Sequence, residues 1–368
     1  MIKPTLLIFV VSVIVVFIFG MFVGSTSLSI NEQKSIYIDS EKQSLSNQLE
    51  TETINIEKFT SFQDESQIAQ KRSELINFLW HTEQLPIDLP NLVETNFTDS
   101  RFDDLQNLRK IEKLSIFMKD GFHSHPYIFL PETSNGKLIL YHQGHSGGFV
   151  NGKQIIQAFL NSGFSVAAFS MPLIGLNNQP TVQIENFGPI QFFKHNQLIL
   201  LDSDEFSSMN YFFTPINITL NHLIENYSFD EYHMVGISGG GWASTVYPAI
   251  DTRISKSFSV AGSLPLSLRN TIGDVGDYEQ YNKKFYSILN YFELYIMSSY
   301  GQDREFTQIF NKYDPCCFAG NISENYYDSI NDFVSNLSSG NFNIIFDDTH
   351  SEHKISDFTI DLIIKKLS

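Results

Sequence analysis

Cysteine is almost absent from this chain. Its two copies, Cys316 and Cys317, are adjacent, so neither a disulfide framework nor a set of spaced thiolate metal ligands can be built from them. They are expected as packed thiols, the usual state of free cysteine. Basic side chains are also scarce, with 24 Lys and Arg against 41 Asp and Glu and a net charge of -17. Binding to a phosphate backbone needs clustered Lys and Arg that release counterions, so no nucleic-acid partner is expected. Internal repeats are missing, and no low-complexity tract interrupts the main body of the chain. Disorder is excluded for that body, because 42% of residues are hydrophobic and only 18% charged, enough to build a core. The 368 residues suffice for one large α/β domain or two ordinary ones.

The most telling absence is local. Residues 5–23, TLLIFVVSVIVVFIFGMFV, contain no charge over nineteen positions, long enough to cross a bilayer. A cleaved signal peptide usually has an apolar region of about 7 to 15 residues, so an uncleaved signal-anchor is preferred. Lys3 precedes the segment and no Lys or Arg follows until Lys34, which leaves residues 1–4 as a short cytoplasmic end. The chain is therefore expected to be a single-pass membrane protein with its catalytic domain on the extracytoplasmic side. Residues 24–70 are rich in Ser, Glu, Gln, Thr and Asn and are expected to form a polar stalk.

The folded domain is expected over 71–368. A helical pattern starts at Lys71, with Leu75, Ile76, Leu79 and Trp80 on one face before Pro86 and Pro90. Strand-like runs at 114–118, 127–130, 138–141, 165–169, 232–235, 257–261, 308–310 and 343–346 alternate with helical runs at 155–160, 218–226, from Trp242, and 356–367. That rhythm predicts an α/β fold with a mostly parallel sheet flanked by helices. Two stretches break it, 176–213 and the Tyr-rich 269–300, and both are expected as lid-like insertions.

Between one strand and the next helix lies Gly236-Ile237-Ser238-Gly239-Gly240, the pattern of a nucleophile elbow. Such a turn holds a serine in a strained conformation, and glycines two residues to either side let strand and helix approach. A serine hydroxyl is a weak nucleophile at neutral pH, so it requires a base, a group that orients the base, and donors for an oxyanion.

In this motif and its order of elements, the chain resembles the α/β-hydrolase superfamily, in particular its serine esterases. The resemblance covers about 114–367. It implies a chain order of Ser238, then an acid after the penultimate strand, then a histidine in the loop before the last helix. The acid is expected at Asp314, in Asn311-Lys312-Tyr313-Asp314-Pro315, with Asp303 as the alternative. The last loop, Asp347-Asp348-Thr349-His350-Ser351-Glu352-His353, offers two histidines. His353 is preferred because it directly precedes the helix, and His350 remains open. The oxyanion donors implied are the backbone N–H of Gly239 and that of His145 in Tyr141-His142-Gln143-Gly144-His145-Ser146-Gly147-Gly148. Met171-Pro172-Leu173-Ile174-Gly175 resembles a loop that lines the mouth of such sites.

The expected function is a membrane-anchored serine hydrolase that cleaves carboxylic esters through Ser238, His353 and Asp314 with an acyl-enzyme. Its partners would be a small-molecule ester and, through the N-terminal helix, the membrane. Aromatic stretches such as Tyr211-Phe212-Phe213 and 278–300 could frame the acyl pocket. The alternatives are a serine peptidase of the same superfamily and a non-catalytic surface binding module that kept the fold. No cofactor is expected, and no metal either, although Asp347, His350 and His353 could be imagined as ligands.

Overall fold

A computed structural model describes residues 54–269, 275–337 and 339–368. The apolar segment 5–23 and positions 24–53 of the expected stalk lie outside the described residues. Among the described residues, no helix is long and apolar enough to cross a membrane.

The remainder of the expected stalk is part of the fold. Ile54, Ile56, Phe62 and Ile68 are buried in the core, and Ile54 N–H donates to Asn325 O at 2.7 Å. Helix α1, Glu65–Trp80, begins six residues before Lys71, where the Asp64 carboxylate caps the N–H of Gln67. The boundary at 70/71 is therefore corrected. The apolar residues here are too sparse to make a core of their own, but each docks singly into the core of the domain, as Phe62 does edge-on to Phe333.

The strands are β1 (Leu92–Glu94), β2 (Leu108–Phe117), β3 (His123–Ser124), β4 (Tyr127–Pro131), β5 (Lys137–His142), β6 (Ser165–Phe169), β7 (Thr181–Ile184), β8 (Gly188–Gln191), β9 (Glu231–Ile237), β10 (Ile254–Val260), β11 (Glu305–Asn311) and β12 (Asn341–Asp347). The main sheet runs β1-β2-β4-β6-β5-β9-β10-β11-β12, with β3 paired to β2. From β6 through β12 every pairing is parallel, while β1, β2, β3 and β4 add antiparallel strands at one side. The expected α/β class and mostly parallel sheet match this arrangement. Helices cover both faces, which is why β5, β6 and β9 are buried at consecutive and not at alternate residues.

Helices α2 (Lys153–Asn161), α3 (Asn210–Asn226), α4 (Gly239–Ile250), α5 (Tyr278–Tyr281), α6 (Lys283–Tyr286), α7 (Tyr291–Ser299), α8 (Glu324–Asn336) and α9 (Asp357–Leu367) fill the connections. Two begin earlier than their sequence signals. Helix α3 starts at Asn210, eight residues before 218, because Tyr211, Phe212 and Phe213 are all buried, and a helix covered on several sides shows no amphipathic period. Helix α4 starts at Gly239, and every one of its residues is buried. It carries three glycines in a row at its start, so packing and not propensity forms it.

The 176–213 insertion contains the β7-β8 hairpin and a short 3₁₀ turn, His195–Leu201. The 269–300 insertion contains α5, α6 and α7. Their aromatic residues do not frame an open pocket. Tyr211, Phe212, Phe213, Tyr278, Tyr286, Tyr291 and Tyr295 belong to the main core, with Phe212 edge-on to Trp242. The hydroxyls of Tyr211, Tyr278, Tyr286 and Tyr291 find partners, as where Trp242 Nε1–H donates to Tyr286 Oη at 2.8 Å and Tyr286 Oη to Tyr291 Oη at 2.8 Å. A tyrosine whose hydroxyl is satisfied internally is a core residue at low cost, and that outcome is invisible in the sequence.

Candidate active site

The centre of the sheet presents Ser238. Strand β9 lies between β5 and β10, and its carboxyl end passes straight into α4. At the junction Ser238 has φ 58 and ψ -126, a region that costs a non-glycine residue about 1–3 kcal/mol. Its N–H donates to Val260 O at 2.9 Å and its carbonyl accepts from Trp242 N–H at 2.9 Å, so strand and helix together hold the turn. The flanking glycines are sterically required. A Cβ on Gly236 would lie 2.1 Å from Gly240 O, and one on Gly240 would lie 2.0 Å from His142 O. Gly239 is the first residue of α4, so its N–H has no acceptor within the helix.

Asp314 and His353, far apart in the chain, meet in space. Asp314 follows β11 and is buried, and His353 Nδ1 lies 2.7 Å from its Oδ2. A carboxylate only accepts, so Nδ1 carries the hydrogen, and in the neutral ring Nε2 presents its lone pair. Nε2 is buried and has no hydrogen-bond partner among the described residues. Oδ1 of Asp314 accepts from the backbone N–H of Cys316 at 2.8 Å and of Cys317 at 3.2 Å. Burial raises the pKa of Asp314, but the bonds from His353 and these N–H groups outweigh it and hold the carboxyl below its ordinary 3.8. A cavity of about 410 Å³ adjoins His353 and is walled by Gln143, Ile155, Ile237 and Ile360. His353 and the residue preceding Ser238 thus share one chamber.

The alternatives fall elsewhere. Asp303 is exposed, in a turn that precedes β11, so the seven residues of the strand, about 23 Å at 3.3 Å each, separate it from the end where Asp314 sits. His350 Nε2 stands 3.4 Å from Asp347 Oδ2, and its Nδ1 accepts from Glu352 N–H at 3.1 Å. Asp347 also accepts from Ser356, Thr349 and Thr359, tying the end of β12 to the start of α9. Its burial raises the pKa, yet these hydroxyl and backbone donors bring it down to about 2. Asp347 and His350 therefore brace the loop, and with His353 committed to Asp314 the three do not converge as metal ligands. Cys316 and Cys317 are corrected from packed thiols to a disulfide with each other, Cys316 being exposed. Adjacent cysteines cannot staple distant segments, but they can close a ring on themselves.

The loop after β5 presses on the elbow. A Cβ on Gly144 would fall 2.6 Å from Ser238 Cβ and 2.7 Å from Ile237 O, so only glycine lets the backbone come this close. The imidazole of His145 lies over Gly239, where an added Cβ would meet its Nδ1 at 2.7 Å, and Met171 Cε crowds the same position at 2.9 Å. The 171–175 loop packs here as well, because a Cβ on Gly148 would meet Gly175 Cα at 2.8 Å. His142, by contrast, is sealed in the core: burial pushes its pKa down to about 4, and its Nδ1 lies 2.9 Å from Gln143 O.

Beside this loop is a polar cluster that the sequence did not signal. His145 Nε2 lies 2.9 Å from Glu279 Oε1, 3.3 Å from Asp277 Oδ2 and 3.1 Å from His195 Nδ1. His195 Nδ1 lies 3.0 Å from Glu279 Oε2. Glu279 is fully buried and His195 nearly so. Burial raises the pKa of Glu279, but the two imidazoles outweigh it and keep the carboxylate ionised. His195 comes from one insertion and the two acids from the other, so only their long-range docking unites them. The one local hint, Asp277-x-Glu279 in an aromatic setting, is too weak to single out.

No family model and no curated protein sequence matches the chain. Its structure is similar to an acetyl xylan esterase from Paenibacillus sp. R4, with a TM-score of 0.56, 14% identity, and coverage of 84% of this chain and 96% of that one. Acetyl xylan esterase 1 from Thermoanaerobacterium sp. JW/SL YS485 gives a TM-score of 0.54 at 15% identity, covering 85% and 98%. An S-formylglutathione hydrolase from Agrobacterium tumefaciens gives 0.50 at 14% identity, covering 75% and 99%. The fold is that of the α/β-hydrolases, as the resemblance implied.

Proposed function

We propose that the protein is a serine hydrolase acting on carboxylic esters, with Ser238 as nucleophile, His353 as general base and acid, and Asp314 as the group that orients it. The observation that carries this reading is the strained Ser238 at the carboxyl end of the central strand, since a non-glycine residue is held at such φ and ψ where its side chain must be presented. The His353–Asp314 bond and the unpartnered Nε2 support it. Ser238 Oγ would attack the ester carbonyl while His353 Nε2 takes its proton, and the imidazolium would return that proton to the departing alkoxide. Water, deprotonated by the same nitrogen, would then release the acid and free Ser238. The N–H groups of Gly239 and His145 would receive the oxyanion. Similarity to acetyl xylan esterases makes short acyl esters, acetylated sugars first, the substrates to try.

The reading also includes an anchor at 5–23 and an extracytoplasmic domain. A disulfide at Cys316 and Cys317 suits an oxidising compartment. Purified full-length protein should be labelled by a fluorophosphonate, and Ser238→Ala should abolish labelling. Wild-type protein that is folded yet unlabelled at neutral pH would sink the hydrolase reading. Release of the full chain from membranes by alkaline carbonate would sink the anchor.

A further inference from the structure

We propose that His145, His195, Asp277 and Glu279 form a zinc site that ties both insertions to the loop over Ser238. Four ligand atoms, two imidazole nitrogens and two carboxylate oxygens, lie within 4.8 Å of one another. A tetrahedral zinc ion with bonds of about 2.0–2.1 Å sets its ligand atoms about 3.3 Å apart. The separations here are 3.1 Å for His145 Nε2 to His195 Nδ1, 2.9 Å and 3.3 Å from His145 Nε2 to Glu279 and Asp277, and 3.0 Å for His195 Nδ1 to Glu279. Glu279 meets His145 through Oε1 and His195 through Oε2, so these are not the edges of one fixed tetrahedron, but each is close to the separation a zinc ion imposes and the whole group lies within 4.8 Å.

Hydrogen bonding does not account for the cluster as well. Pro172 O accepts from His195 Nε2 at 2.8 Å, so Nε2 carries a hydrogen, and in the neutral ring Nδ1 directs a lone pair at the Glu279 carboxylate and at the facing His145 nitrogen. With both rings neutral, the one hydrogen available on His145 Nε2 faces three acceptors, His195 Nδ1, Glu279 Oε1 and Asp277 Oδ2, a shortage of donors that a cation makes up. The fully buried Oε1 of Glu279 has no hydrogen-bond partner although His145 Nε2 is 2.9 Å away. Two imidazoles and two carboxylates suit a divalent ion of borderline softness, and the two negative charges neutralise it. The bond from His195 Nε2 to Pro172 O is the outer support that metal-bound histidines commonly have.

The site would be structural and positioning. It joins His195 of the first insertion and Asp277 and Glu279 of the second to His145, whose ring rests on Gly239 and whose neighbour Gly144 touches Ser238. The expectation of no metal rested on the last loop, and this site lies outside it.

Full-length protein purified without chelator should contain about one zinc per chain by elemental analysis. Metal-stripped protein titrated with Co²⁺ should develop visible absorption bands of a tetrahedral site at one equivalent, and Zn²⁺ should raise its melting temperature. Glu279→Gln and His195→Ala should each lower bound zinc at least tenfold. If either variant fails to fold, the stripped wild-type protein still decides the matter. Stripped wild-type protein that takes up neither Zn²⁺ nor Co²⁺, with an unchanged melting temperature, would overturn the proposal and leave a doubly protonated His195 paired with Glu279. Stoichiometric binding that survives both substitutions would overturn it equally. Neither readout depends on ester hydrolysis, so the zinc site and the catalytic reading can fail separately.

Discussion

Replacing Gly144 by alanine tests the proposed oxyanion loop with a single methyl group. The added Cβ would lie 2.6 Å from Ser238 Cβ, 2.7 Å from Ile237 O and 3.2 Å from Gly239 N. Two of these neighbours are backbone atoms and the third is anchored to the strained turn, so none can swing aside as a flexible side chain could. The loop itself must retreat, by about 0.8 Å to reach ordinary carbon–carbon contact. Its N–H at His145 would retreat with it. A misplacement of about 1 Å costs on the order of 10²-fold in rate, and loss of one oxyanion donor costs about 10²–10³-fold. We therefore expect kcat for 4-nitrophenyl acetate to fall about 10²-fold while KM changes little. Overpacking should cost about 1–3 kcal/mol of stability, a loss of several degrees in Tm, with folding retained. Circular dichroism melts and fluorophosphonate labelling would accompany the kinetics. A folded, labelled variant whose kcat stays within threefold of wild type would refute the role of this loop.

The last loop yields a sharper choice. His353→Ala and Asp314→Asn should each lower kcat by about 10⁴-fold, since the three groups act as a unit, whereas His350→Ala should change it only severalfold. The reverse ranking in ester hydrolysis would make His350 the base. Asp347 predicts a pH effect on stability. Its carboxyl is held at about 2 against an ordinary 3.8, so it stabilises the fold at every pH above about 4 and loses that contribution as pH falls through 2. The shift corresponds to roughly 2 kcal/mol. Asp347→Asn should lose about that much at pH 6 in denaturant unfolding, and the gap should shrink as pH drops from 5 toward 2. A gap that stays constant would show that the carboxylate charge is not what matters.

The residues that were legible in the sequence share a property: their role is local or ordered along the chain. Gly236, Ser238 and Gly240 announce a tight strand-to-helix turn because only glycine tolerates Cβ contacts near 2 Å. Strands β5 and β6 are legible because a sheet covered on both faces favours unbroken apolar runs such as 138–141 and 166–169. Asp314 and His353 could be nominated by their order after Ser238, but Asp303 and His350 fitted the same order. What separates them is which end of β11 each acid occupies and which carboxylate each imidazole meets. The polar run at 54–70 misled because sparse apolar residues can still dock one at a time. The start of α3 at Asn210 was hidden because a helix buried on several sides shows no period.

By itself the sequence determined the alternating α/β order, the elbow around Ser238, a strongly acidic balance, and an uncharged stretch of membrane-spanning length. These follow from composition and short-range sterics, which are properties of consecutive residues. Tertiary structure alone decided that the tyrosines of the insertions are core and not pocket, that Asp314 pairs with His353, and that His145, His195, Asp277 and Glu279 gather beside Gly239. Each is a meeting of residues dozens to more than a hundred positions apart. The energy of such a meeting depends on burial and on partners that no local stretch of sequence contains.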